Sequence, residues 1–368
     1  MIQSREMKTP WFVAVLVMLG LIGFALVVYS TRWGAALSDD SYYYIRPARD
    51  LVAGKGFSFV PDFAPFFSLF LGFFGFLGLD PLAGARWLNA ALFGLNIAVT
   101  GWLLYRITRK PGFGVLGALL ILLSDVMIEA HSWAMSEPLY TTLALLGVWL
   151  LVEYVQVGRL RTLVWAGIFT GLAFFTRYPG LSLVLAGALW LFLRRGMSWA
   201  EKVRDAVIFG VISILPTALW SVRNLFLVGR PTSRVFLWNP AQGTLWRDLF
   251  HTMLVWFVPG RLVNNRETYW AIGLSILLLA GIILVFVRYR KNLSGWFSTF
   301  EAKASGLFFL NILTGLFVLL VARYFFNQTP PIDDRHLMPV LLPLYLLLVV
   351  ILASFWRFSK TPDRKSVV

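Results

Sequence analysis

Cysteine is absent from the 368 residues, which excludes disulfides and thiolate metal centres. Charge is sparse as well, at 14% of residues, and acids are the scarcer sign: 18 Asp and Glu against 33 Lys and Arg. A soluble chain carries about 25% charged residues, so a hydrated globular surface is excluded over most of this one. Histidine occurs only at His131, His251 and His336, too scattered for metal-ligand spacing. There is no internal repeat, no low-complexity linker and no stretch polar enough to form a separate soluble domain. What remains is apolar, 58% of residues gathered in long runs, which makes the bilayer the solvent to reason about. The net charge of +15 suits basic loops beside anionic headgroups, and no nucleic-acid partner is expected.

A spanning helix needs roughly 20 predominantly apolar residues. Ten segments meet or approach that length: 10–30, 87–105, 113–133, 138–156, 162–176, 180–193, 206–227, 269–287, 304–325 and 337–356. The fold class expected is therefore an all-α integral membrane protein with about ten transmembrane helices. Segment 10–30 is longer than the roughly 7–15-residue core of a signal peptide and no small-residue cleavage site follows, so it reads as an uncleaved first span. An eleventh apolar stretch, 63–79, contains three glycines and is punctuated by Pro61, Pro65 and Pro81. The positive-inside rule decides its role. With a cytoplasmic N-terminus and 63–79 lying along the interface, the cytoplasmic side receives 19 bases and six acids, a net +13, and the outer side +2. If 63–79 crossed, the basic clusters at 194–204 and 288–303 would face outward. The pattern thus predicts a single transmembrane domain over 1–368 with cytoplasmic termini. Its first outer loop, 31–86, is long and holds interfacial helices near 42–53 and 63–79. A second outer loop, 228–268, carries Trp238, Trp246 and Trp256.

On this topology the unusual polar residues fall on the outer side. Asp39 and Asp40 open the first loop and are followed by Tyr42, Tyr43 and Tyr44. Adjacent aspartates suit a helix N-cap and first turn. They also suit a general base, because neighbouring carboxylates raise one another's pKa. The tyrosines read as interfacial belt, or as walls of a substrate pocket in the case of Tyr42 and Tyr43. Ser136-Glu137-Pro138 is a good helix start, yet capping does not explain Glu137, since a carboxylate near the membrane boundary is costly unless paired or used. Arg177, Arg223 and Arg335 are either snorkelling anchors or a phosphate-binding set, for which the planar guanidinium fork is suited. Tyr178 beside Arg177 and His336 beside Arg335 are further candidates, for the pocket and for a phosphate contact.

These residues resemble the GT-C superfamily of membrane glycosyltransferases, in the branch of the dolichyl-phosphate-mannose protein mannosyltransferases and the aminoarabinose transferases of lipid A. The resemblance rests on Asp39-Asp40-Ser41-Tyr42-Tyr43-Tyr44 after the first helix and on its continuation from Ile45 to Phe57. Ser136-Glu137-Pro138-Leu139-Tyr140, Thr176-Arg177-Tyr178-Pro179-Gly180 and Arg335-His336-Leu337-Met338-Pro339 complete it. It covers most of the chain. It implies catalysis at Asp39 with Asp40 beside it, a polyprenyl-phosphate sugar donor and a lipid, glycan or protein acceptor. It also implies an active site facing outward from a bacterial or archaeal plasma membrane. Two departures stand out: the second acid is often Glu in the mannosyltransferases, and the chain lacks their C-terminal soluble domain.

The expected chemistry is single displacement with inversion. Asp39 serves as base, Asp40 and Glu137 complete the catalytic acids, and guanidiniums stabilise the departing phosphate. No cofactor is required on that scheme. Were a divalent cation used, the oxygen ligands on hand are Asp39, Asp40, Asp333 and Asp334. The rival expectations are a transporter or flippase of lipid-linked sugars, using the same charges as a headgroup site, and a non-catalytic subunit of a transferase complex. Transporters commonly carry inverted repeats and midplane charges, and the chain shows no repeat.

Overall fold

The structure is a computed structural model that describes residues 10–56, 58, 60–232, 234–240, 245–257, 299–326 and 332–359. Among the described residues it is all-helical, with no strand and only two isolated bridges. In chain order the helices are α1 (Pro10–Ser30), α2 (Asp39–Val52), α3 (Phe66–Phe76), α4 (Pro81–Thr108), α5 (Pro111–Leu122), α6 (Asp125–Ser132) and α7 (Glu137–Val157). After them come α8 (Leu160–Thr176), α9 (Leu181–Phe192), α10 (Trp199–Val228), α11 (Leu245–Val255), α12 (Phe300–Phe325) and α13 (Met338–Ser359).

Six of these helices, α1, α4, α7, α10, α12 and α13, are long and apolar enough to cross a membrane. A seventh span results if α5 and α6, bent by 56° at their junction, are taken together. Of the other spans expected from the sequence, α8 and α9 are shorter apolar helices, and 269–287 lies outside the described residues. The apolar stretch 63–79 forms an 11-residue helix, α3. At 1.5 Å per residue it reaches about 16 Å, half of the roughly 30 Å hydrocarbon core. It packs instead on α2, where a Cβ at Gly72 would lie 2.9 Å from Leu51 and one at Gly75 2.3 Å from Val52.

Small residues set the closest helix contacts. A Cβ built on Gly20 of α1 would approach the carbonyl oxygen of Gly94 in α4 to 2.8 Å, and one on Gly114 of α5 would approach that of Gly101 in α4 to 2.7 Å. Backbones in the bilayer approach this closely only where side chains are minimal. The break between α5 and α6 follows from Ser124, whose hydroxyl accepts from the Met127 N–H at 3.4 Å, starting a new helix as an N-cap does. The segment had read as one span, 113–133; the polar Ser124-Asp125 pair divides it.

Candidate active site

Three elements that are remote in sequence meet at the end of the bundle where α2 begins. The Ser38 N–H donates to the Ser41 hydroxyl at 3.0 Å, and Asp39 and Asp40 occupy the first helical turn, where the helix dipole favours carboxylates. The chain just before α2 is fastened to the α6–α7 junction. The Ala36 N–H donates to the Ser132 carbonyl at 2.9 Å and the Ala134 N–H to the Ala36 carbonyl at 2.8 Å. The Ser136 hydroxyl donates to the Tyr44 hydroxyl at 3.0 Å. From α4, the Asn89 amide donates to the carbonyls of Trp133 at 2.8 Å and Met135 at 3.3 Å. These bonds bring Asp40 beside Glu137.

Glu137 is 1% exposed and anchors a chain of ion pairs. Its Oε1 lies 3.1 Å from Nη1 of Arg177 and 2.9 Å from Nε of Arg335, and Nη2 of Arg335 lies 2.7 Å from Oδ2 of Asp40. Two guanidiniums and two carboxylates thus alternate in one cluster. A buried charge is costly unless it is paired and hydrogen-bonded, and this pairing answers for Glu137 and for Arg177, itself 9% exposed. The backbone aims both arginines. Arg177 ends α8 in extended conformation before a short 3₁₀ turn, Tyr178–Gly180. That turn folds back so tightly that a Cβ on Gly180 would lie 2.6 Å from the Phe174 Cα. Arg335 is carried by a turn built on Asp333, whose Oδ1 accepts from the His336 N–H at 2.9 Å and lies 2.7 Å from its Nδ1. The Arg335 side chain remains 36% exposed, so the cluster has one guanidinium open to an incoming group.

Electrostatics outside the spans follow from this arrangement. Burial, then the Glu137 and Asp40 carboxylates, push Tyr44 up to about 12, against Arg177 and the bond from Ser136. Tyr44 is therefore a neutral strut at physiological pH. Burial alone would depress Arg335, but Glu137, followed by the hydrogen bonds to Asp40 and Glu137, raises it above its ordinary value. Burial opposes ionisation of Asp333, and the bond and charge of His336 outweigh it, so that carboxyl sits below its usual range.

A cavity of about 280 Å³ adjoins the cluster; Glu137, Arg335, Ser38, Glu129, Asp333 and Asp334 supply its polar lining. Asp39 stands one residue from Ser38, exposed, and its carboxylate makes no hydrogen bond or ion pair with any described residue. The other residues singled out from the sequence lie apart from the four-membered cluster. Arg223 sits over the Trp220 ring at 4.7 Å and donates to Asn224 at 3.2 Å. His336 serves the turn before α13 through Asp333. Tyr178 donates to the Pro61 carbonyl at 3.0 Å, and Tyr43 stacks on Phe63 at 4.8 Å. Tyr42 bonds Arg46, and both Tyr42 and Tyr43 line a second, smaller groove on α2. Among the described residues, no group of three or more His, Asp or Glu side chains is placed to hold a metal ion. Asp39 and Asp40 stand at the start of α2 and Asp333 and Asp334 in the turn before α13; Asp40 is engaged by Arg335, Asp333 by His336 and Asp334 by Trp256.

Sequence reasoning missed the residues behind the site. Asn96, fully buried, joins His131 at 3.0 Å and accepts from the Thr142 hydroxyl at 2.7 Å. With Asn89, one heptad earlier on α4, it secures the start of α7. Two asparagines seven apart in an apolar span were the available signal, since polar side chains in a bilayer are retained where they bond across helices. Tyr44 was likewise legible from Ser41, Tyr44, Ile45 and Ala48, the buried face of α2 at helical spacing.

Residues 62–220 match the family model of the dolichyl-phosphate-mannose-protein mannosyltransferases. The match covers less than half of the chain; it includes Glu137, Arg177 and Tyr178 and stops short of Asp39, Asp40 and Arg335. With the apolar helices, it supports an integral membrane protein and a membrane glycosyltransferase of the GT-C superfamily. No curated protein matches the chain.

Proposed function

We propose that the protein transfers a sugar from a polyprenyl-phosphate carrier to an acceptor hydroxyl on the extracytoplasmic face of the membrane, with inversion at the anomeric carbon. The observation that carries this reading is Arg335. Its guanidinium is fixed by Glu137 and Asp40, yet it lines an open cavity beside the aspartate pair. A fixed, partly open guanidinium suits a phosphate that must be held and then released. In the reaction, Asp39 takes the proton of the acceptor hydroxyl as its oxygen bonds to the anomeric carbon. The bond from that carbon to the phosphate oxygen breaks, and the electron pair leaves with the lipid phosphate beside Arg335. Asp39 is favoured over Asp40 as base because its carboxylate is open, whereas Asp40 is engaged by Arg335. Arg177 acts through Glu137, holding it and thereby Arg335 in place. The charge bias of the loops supports the outward placement.

Arg335→Ala is expected to raise the donor KM roughly 10–100-fold, the worth of a charge-assisted phosphate contact at about 1.5–3 kcal/mol. An unchanged donor KM would remove Arg335 from phosphate binding. Because guanidiniums neutralise the leaving group on this scheme, excess chelator is expected to leave the transfer rate unaltered. Loss of transfer on chelation, restored by Mg²⁺ or Mn²⁺, would require metal ligands instead. Assaying transfer of labelled sugar in detergent, where no compartments exist, separates an enzyme from a flippase.

A further inference from the structure

The end of the bundle away from the candidate active site holds a second set of fixed charges. α7 runs from Glu137 at the site to Val157 at this end, close to where α8 and α10 begin. Asp205 of α10 is 1% exposed. Its Oδ2 accepts from the Tyr154 hydroxyl at 2.6 Å and lies 3.5 Å from Nη1 of Arg194. Its Oδ1 accepts from Nε and Nη2 of Arg204 at 3.1 and 2.9 Å. The Arg194 guanidinium also sits over the Tyr154 ring at 5.2 Å. One buried carboxylate thus fixes two guanidiniums, and the Arg204 side chain is still 55% exposed. Arg195 and Lys202 have no ion-pair partner among the described residues. Glu201, the other acid between 193 and 205, is engaged in the cap of α10, accepting from the Ser198 N–H at 2.9 Å and the Ser198 hydroxyl at 2.8 Å. The bases Arg194, Arg195, Lys202 and Arg204 therefore outnumber the acids. The positive-inside rule asks only that bases lie on one side; it does not ask for a buried carboxylate that orients them.

A second, independent feature adjoins these charges. Trp199, Val203, Val207 and Val211 recur at every fourth position of α10 and so share one face, and all four are exposed, from 36% at Val203 to 69% at Trp199. The Phe192 ring meets the Trp199 indole edge-on at 4.9 Å, holding it at the headgroup level where such rings settle. Lys202 and Arg204, either side of Val203 in the chain, flank this stripe at its basic end.

We infer that this corner of the bundle seats one anionic phospholipid of the adjoining leaflet. Its phosphate diester meets the open edge of Arg204, with Lys202 and Arg195 around it, and one acyl chain lies along Val203, Val207 and Val211. A guanidinium already oriented by Asp205 loses little further freedom on taking a phosphate. A zwitterionic headgroup carries its own cation, which the surrounding bases repel. A soluble acidic partner would leave the apolar stripe uncovered, which favours lipid. The seat lies at the opposite end of α7 from Glu137 and stands whether or not the protein transfers sugar.

The full chain, stripped of lipid in detergent, is equilibrated with mixed micelles holding equal phosphatidylglycerol and phosphatidylcholine, and the lipid retained after washing is counted by native mass spectrometry. At low salt, phosphatidylglycerol is expected to be retained over phosphatidylcholine by about 25-fold or more, since each base near the phosphate contributes about fivefold. Arg204→Gln and Lys202→Gln should each lower that preference about fivefold. Lys110→Gln, at the same end on the α4–α5 connection and outside the seat, should leave it unchanged. If Arg204→Gln fails to fold, Lys202→Gln and Arg195→Gln decide the matter, because neither side chain has a buried partner to lose. An equal loss with Lys110→Gln would mean a diffuse field over the whole face and would overturn the seat. Equal retention of the two lipids by the wild type would overturn it as well. So would full displacement of the lipid by glycerophosphoglycerol, which has the headgroup without the chains and would mark a site for a soluble phosphate.

Discussion

Glu137→Gln is expected to cost about 3–5 kcal/mol of stability, the usual penalty for removing one partner of a buried ion pair, and to abolish measurable transfer. The amide preserves volume and one acceptor but leaves Arg177, 9% exposed, without its carboxylate. Arg335 loses its inner partner in the same step and keeps only Asp40. Thermal unfolding in detergent checks the first effect, and sugar transfer the second. The double variant Glu137→Gln/Arg177→Met separates them: removing the orphaned charge should recover much of the stability without restoring transfer, because Arg335 is still unfixed. An unfolding temperature unchanged by Glu137→Gln would mean that Glu137 is not the anchor of the cluster.

Asp39→Asn is expected to lower the transfer rate by about 10²–10⁴-fold, the contribution of a positioned general base, with little change in stability or in donor KM. Asp39 is exposed and contacts no described residue through its carboxylate, so little folding energy depends on its charge. Asp40→Asn should behave differently, raising the donor KM because Arg335 loses a tether. If Asp39→Asn turns over like the wild type while Asp40→Asn does not, the base is Asp40.

Much of the fold was legible because the bilayer permits few solutions. Residues 10–30, 138–156 and 304–325 announced α1, α7 and α12 by apolar length alone. The division of 113–133 into α5 and α6 was not read, since hydropathy averages over the Ser124 cap. The site was legible in part. Asp40, Glu137, Arg177 and Arg335 were singled out as charges falling on one side of the expected topology, and they meet in one cluster. Arg223 and His336 were chosen on the same grounds and lie elsewhere. A charge pattern along the chain names the polar residues at one end of a bundle, while helix crossings decide which of them touch. Arg223 meets Trp220 one turn before it on α10, a local contact that no topology count would distinguish from a site contact.

Mass spectrometry of the lipids that co-purify with the wild type and with Arg335→Ala tests the central claim most directly. The expected result is a polyprenyl-phosphate sugar on the wild type, depleted at least tenfold on the variant, in keeping with a lost charge-assisted contact. Equal amounts of that lipid on both proteins, or its absence from the wild type, would contradict a donor held at Arg335.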